Sequence, residues 1–66
     1  MQKIIKTEII ENYLKENNIS KYKFCKLCNV SRNIFDKIMA NDTNFGIKAL
    51  FKIARILNIE AHELFY

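Results

Sequence analysis

Three observations predict an all-α fold, a compact five-helix bundle. The 66 residues include one Gly and no Pro, so the breakers that many tight turns require are missing. Apolar residues recur at spacings of three and four along most of the chain, the period of a helix with one buried face. Half of all residues are apolar, which suits a packed core rather than a disordered chain. A chain of this length makes one domain, residues 1–66, and buries a smaller fraction of its surface than a larger domain would.

The first helix is expected over about 7–17, with Thr7 as a candidate N-cap and Ile9, Ile10, Tyr13 and Leu14 on its buried face. "NNIS" ends it, and Ser20 caps a second helix over roughly 21–27 that buries Phe24, Cys25 and Cys28. After the turn "CNV", Ser31 caps a third helix that runs to about Met39 and buries Phe35 and Ile38. "ANDTNFG" is the most polar connection and reads as a loop. Helix four, roughly 47–57, presents Ile47, Leu50, Phe51, Ile53, Ala54 and Leu57 as a broad apolar face. The chain turns at Asn58, packs Ile59 as a staple, and closes with a short helix carrying Leu64 and Phe65.

The net charge of +4 is mild, but it is unevenly placed. Lys3, Lys6 and Lys15 are offset by Glu8, Glu11 and Glu16, and Lys48, Lys52 and Arg55 by Asp42, Glu60 and Glu63. Residues 21–37 hold Lys21, Lys23, Lys26, Arg32 and Lys37 against Asp36 alone, so the whole excess lies there. Such a patch suits a polyanion, an acidic protein or a membrane surface. It also has a plain reading as solvated lysines that keep a small protein in solution. Charges interrupt the opening "MQKIIKTEIIENY" every two or three positions, unlike a signal peptide. No apolar stretch approaches the ~20 residues that cross a bilayer. A cytoplasmic protein is the expectation.

Two short helices at 21–27 and 32–39, joined by a few residues, form the outline of a helix-turn-helix whose second helix enters the major groove of DNA. The order of residues carries this further. "ISKYKFCKLCNVSRNIFDKIM" followed by "LFKIARILNIEAHELF" resembles the phage repressor and Cro family, the XRE-type or lambda-repressor-like helix-turn-helix proteins. Ile19, Ser20, Phe24, Cys25, Val30, Ser31, Phe35 and Ile38 fall on the first half of that family's pattern. Leu50, Lys52, Ile53, Ala54, Leu57, Ile59, Leu64 and Phe65 fall on the second. The resemblance covers about nine-tenths of the chain. It implies sequence-specific binding of double-stranded DNA by a small Cro-like or repressor-like transcriptional regulator.

The departures from the pattern have physical consequences. Lys21 replaces the Gln that commonly opens helix two, and can meet a phosphate as a point charge. Asn29 replaces the turn Gly and is one of the few residue types that tolerate positive φ. Cys25 replaces a small Ala facing helix three. Where the family often pairs an Arg with a Glu, this chain has Leu14 and Met39, so no buried charge is stranded and the two side chains are expected to touch.

With Ser31 as cap, Arg32 and Asn33 occupy the first turn of helix three, where recognition helices approach base edges. Asp36 and Lys37 follow one turn on. Arg can bridge guanine O6 and N7, Asn can bridge adenine N6 and N7, and Asp can only accept, as from a cytosine amino group. The base-reading set is therefore Arg32, Asn33, Asp36 and Lys37, which are also the family's contact positions. Asp36 has three readings: selection of a cytosine, orientation of Arg32 through an i,i+4 pair, or a surface acid offsetting local lysines. Ile34 would touch a thymine methyl or pack at the core's rim. Backbone contacts are expected from Ser20, Lys21, Lys23, Ser31, Thr43 and Asn44; Lys26 is a further candidate, unless its helical phase turns it away.

A two-fold homodimer reading half-sites about 34 Å apart, on a short palindromic operator, is the expected assembly. Ile56, Phe65 and Tyr66 are the candidate dimer contacts, and Lys3 within "MQKII" suggests an arm that reaches DNA. Other chemistry finds little support. "CKLC" has the spacing of a redox dithiol or half a zinc site, but beyond Cys25 and Cys28 only His62 is an obvious further ligand, and zinc wants four. The carboxylates are scattered, and Gly46 alone makes no phosphate loop. Neither enzyme activity, cofactor nor metal is expected. A protein-interaction module or an antitoxin-like component, with a toxin or other protein as partner, is the competing reading of the same fold.

Overall fold

The structure, a computed structural model, describes residues 4–42 and 46–66. Four α-helices follow one another: α1 (Thr7–Asn17), α2 (Lys21–Cys28), α3 (Arg32–Met39) and α4 (Ile47–Leu57). The expected fifth helix is a single 3-10 turn, Ala61–Leu64. Only four residues separate its two flanking segments, too few for an α-helical ladder of any length. Glu60 and Glu63 close a capping box around it.

Two N-caps fall where the serines predict them. Ser20 accepts from the Lys23 N–H at 3.1 Å and Ser31 from the Ile34 N–H at 3.2 Å. Thr7, by contrast, is the first residue of α1 rather than its cap; Lys6 holds that position and makes no side-chain cap. The reason lies outside the helix. Lys6 is drawn into a pairing with the C-terminal segment, its N–H donating to the Leu64 carbonyl at 2.8 Å. Ile5 and Phe65 form an antiparallel bridge at the same place.

The core is built from side chains of every element. Ile5, Ile10, Phe24, Phe35, Ile38, Leu50, Ile53 and Leu64 are fully buried, with Cys25, Cys28, Val30 and Ala54 beside them. Phe24 is its hub, with ring centroids 5.5 Å from Tyr13 and 5.8 Å from Phe35 in tilted and edge-on geometry. Burying such a ring stabilises the fold by roughly 1.5–3 kcal/mol. Among the described residues no polar or charged side chain is buried. Leu14 and Met39 are both half-buried and packed against this core, so the apolar replacement at those positions leaves neither of them in solvent.

The apolar face of α4 is narrower than its periodicity suggests. Leu50, Ile53 and Ala54 are buried, but Ile47 and Phe51 are 55% and 59% exposed. Among the described residues, α2 and the Ala61–Leu64 turn are the main elements packed against α4, and Ile47 and Phe51 lie outside the part they cover.

Candidate nucleic-acid interface

The helix pair α2–α3 is held rigidly enough to present a face. Asn29 ends α2 in the left-handed conformation, φ 58°, as its replacement of a turn Gly requires. The Val30 N–H reaches back to the Cys25 carbonyl at 3.0 Å, and Val30 itself is buried. From α4, the Lys52 ammonium donates to the Asn29 carbonyl at 3.3 Å, tying the third element to the turn. Cys25 sits under the junction as a buried thiol. Burial pushes its pKa up, with the nearby Arg32 charge opposing and Asp36 reinforcing that rise. Cys28, also buried, is pushed up to about 12, first by burial and then by Cys25. Both are free thiols and stay protonated at neutral pH. Among the described residues no three His, Cys, Asp or Glu side chains gather as metal ligands would.

The polar residues of α3 divide by position. Arg32, Asn33 and Asp36 are exposed and Lys37 is half-buried. Ile34 is half-buried against the core, so it packs at the rim. The Arg32 Nε–H donates to Asp36 Oδ1 at 3.0 Å, an ion pair with side chains 53% and 59% exposed. Ser31 takes the Ile34 N–H and Ser20 the Lys23 N–H, so α3 and α2 each begin at a serine cap, with the remaining N–H groups of the first turn beyond the reach of the intrahelical ladder. Helix starts of this kind attract anions.

Lys21 and Lys23 are exposed beside the start of α2. Tyr22, between them, is 61% exposed and was not among the residues the sequence singled out. Lys26 is exposed and lies over the Tyr22 ring, 4.7 Å from its centroid. The i,i+4 spacing of Tyr22 and Lys26 was the available signal. Thr43 and Asn44 lie outside the described residues, as does Lys3 of the expected arm. Ile4–Lys6 packs along the C-terminal segment, with Ile5 buried.

The expected dimer contacts are scattered in character. Ile56 is half-buried and helps line a groove with Leu27, Cys28, Asn29, Lys52 and Arg55. Phe65 is half-buried in the bridge to Ile5. Tyr66 is 64% exposed; its hydroxyl donates to Glu8 at 3.1 Å, a bond that raises its pKa, and the Lys6 ammonium lies 5.6 Å from its ring centroid.

Short helices, a capped second helix and a cationic outer face define a helix-turn-helix nucleic-acid-binding domain. The family model for the Cro/C1-type HTH DNA-binding domain matches residues 10–66. The chain belongs to that family, so double-stranded DNA is its partner and transcription regulation its field of action. No curated protein and no solved structure matches the chain. Among the described residues no helix is long and apolar enough to cross a membrane.

Proposed function

We propose that this protein is a sequence-specific Cro/repressor-like regulator that reads a short palindromic operator as a homodimer, with α3 in the major groove. It is a binding protein and not an enzyme, acting in the cytoplasm. The observation that carries the reading is the outer face of α3, where Arg32, Asn33 and Asp36 stand exposed immediately after a serine cap. Arg32, Asn33 and Lys37, with Asp36 beside Arg32, make up the groove-side set in this reading. Ser20, Lys21, Lys23 and Ser31, with the helix N-termini they flank, hold phosphates. Tyr22 joins that group through its hydroxyl.

The test is selection from a randomised duplex pool at two salt concentrations. Enrichment of a palindrome with half-sites about 34 Å apart is expected. Arg32→Ala and Asn33→Ala should each relax one base position by about 1–3 kcal/mol. Lys21→Ala should instead weaken all sequences alike and lower the salt slope by about one. Uniform weak binding that disappears with salt would leave only an electrostatic patch.

One observation favours a second reading, in which the fold serves as a protein-interaction module or antitoxin-like component. Ile47 and Phe51 expose apolar surface one helical turn apart on α4. Tight binding of a protein partner in the absence of DNA affinity would establish it.

A further inference from the structure

Asp36 is the only acid between residues 21 and 37, a segment that otherwise carries five cations. A carboxylate there repels phosphate, and its pairing with Arg32 does little for the fold. The pair is more than half exposed on both sides, where ion pairs contribute little to stability. It also runs against the helix dipole. Arg32 places a cation in the first turn of α3, where the positive end of the helix disfavours it, and the acid follows one turn later instead of preceding the cation. Neither the stability of α3 nor the general attraction for a polyanion accounts for the arrangement.

The geometry of the bond does. Asp36 takes the Nε–H of Arg32 and, among the described residues, no protein group accepts from its two terminal Nη atoms. A guanidinium bound through Nε is fixed in plane and direction, while its terminal fork stays available. That fork matches the O6 and N7 acceptors of guanine. We propose that Asp36 is a positioning residue: it aims Arg32 at a guanine and does not itself read a base. The proposal rests on the DNA-reading function of α3 put forward above.

A second consequence follows from charge. A lone Arg32 would pair with any phosphate it met. The carboxylate beside it repels phosphate and competes for the guanidinium, so it withholds Arg32 from non-specific contacts. Asp36 thereby trades general affinity for selectivity.

The experiment is a double-mutant cycle on DNA. Wild type, Asp36→Ala, Arg32→Ala and the double variant are titrated against the duplex selected by the wild type. Duplexes with each base pair replaced in turn, and a random-sequence duplex, complete the set. Asp36→Ala is expected to lower discrimination by about tenfold at the pair that Arg32→Ala also relaxes. It should tighten binding to the random duplex by about two- to fivefold. In the Arg32→Ala background it should change that discrimination no further. Thermal melting should be unaffected by either substitution, which separates positioning from a role in folding.

Relaxation at a different base pair, persisting without Arg32, would mean that Asp36 reads a cytosine and would overturn the proposal. Unchanged discrimination at every position would overturn it too. If the wild type selects a sequence but Arg32→Ala leaves it unaltered, the positioning role falls while DNA reading stands. If the wild type selects no sequence at all, the underlying reading has failed, and that result appears before any variant is compared.

Discussion

All four α-helices are followed within two residues by an asparagine with positive φ, yet one end is built differently from the other three. Asn18, Asn29 and Asn58 close α1, α2 and α4 at φ 51°, 58° and 61°. In each case the next residue donates its N–H five residues back, Ile19 to Leu14, Val30 to Cys25 and Ile59 to Ala54, at 3.0–3.1 Å. Those next residues are apolar and pack against the core, completing the hydrophobic version of this stop. At the end of α3, Ala40 is the cap and Asn41, φ 59°, follows it, with a similar backbone closure in which the Asp42 N–H reaches the Lys37 carbonyl at 2.9 Å. There the following residue is an exposed acid and supplies no apolar seal.

The side chain of Asn41 replaces what the missing seal would have provided. Its Oδ1 accepts from the Ile4 N–H at 2.8 Å and the Ile5 N–H at 2.6 Å. The segment so captured is the one that pairs with the chain's other end, through Lys6 to Leu64 and Tyr66 to Ile4. Three helix ends are therefore closed locally. The end of α3 is closed by a residue that also holds the Ile4–Ile5 segment, which in turn pairs with the C-terminal one.

Substitution of each asparagine by Gly separates conformation from side-chain bonding, because Gly keeps the left-handed backbone without strain. The largest effect is expected at Asn41. Asn41→Ala should cost roughly 1–2 kcal/mol from the positive φ alone, and a further ~1–3 kcal/mol from two amides left without their acceptor. Asn41→Gly should retain only the second part, accompanied by faster amide exchange at Ile5, Lys6 and Tyr66. At Asn18 and Asn58 the Gly variants should lie within about 1 kcal/mol of the wild type, since relief of strain and added chain entropy oppose each other. Denaturant unfolding measures all four. Equal losses at Asn41 and Asn58 would erase the distinction between the two kinds of helix end.

This contrast also marks where the sequence could be read and where it could not. The four α-helices, the Ser20 and Ser31 caps and the buried Phe24, Phe35 and Ile38 follow from local spacing and capping chemistry, and all are present. Asn29 was recognisable because the family resemblance calls for a Gly there. Asn41 was not, since its partners lie 36 and 37 residues away and only the folded chain brings them together. Thr7 failed as a cap for the same reason: a long-range pairing fixes Lys6 and with it the start of α1. Ile47 and Phe51 show a further limit. Periodicity states which side of α4 is apolar, but not how much of that side other elements cover. At the interface, residue types identified Arg32, Asn33, Asp36 and Lys37 as candidates, whereas the hydrogen bond between Arg32 and Asp36 depends on rotamers that spacing only permits.

The smallest effect is expected where a locally closed end receives one added bond. Asn29 differs from Asn18 and Asn58 in that its carbonyl accepts from Lys52 on α4, at 3.3 Å and in solvent. A cation near the last carbonyls of α2 is favourable to its dipole, but exposure and the length of the bond keep the contribution small. Lys52→Met preserves most of the aliphatic stem that covers the groove beside Leu27 and Ile56 while removing the charge. The expected loss is about 0.5 kcal/mol, well below that of Asn41→Gly, with exchange at Val30 slightly faster. A loss as large as the Asn41 variant's would show that the turn of the helix-turn-helix is held from α4 rather than closed by its own backbone. The Asn29 end would then belong with Asn41, as a second place where distant contacts set the geometry of α2 and α3.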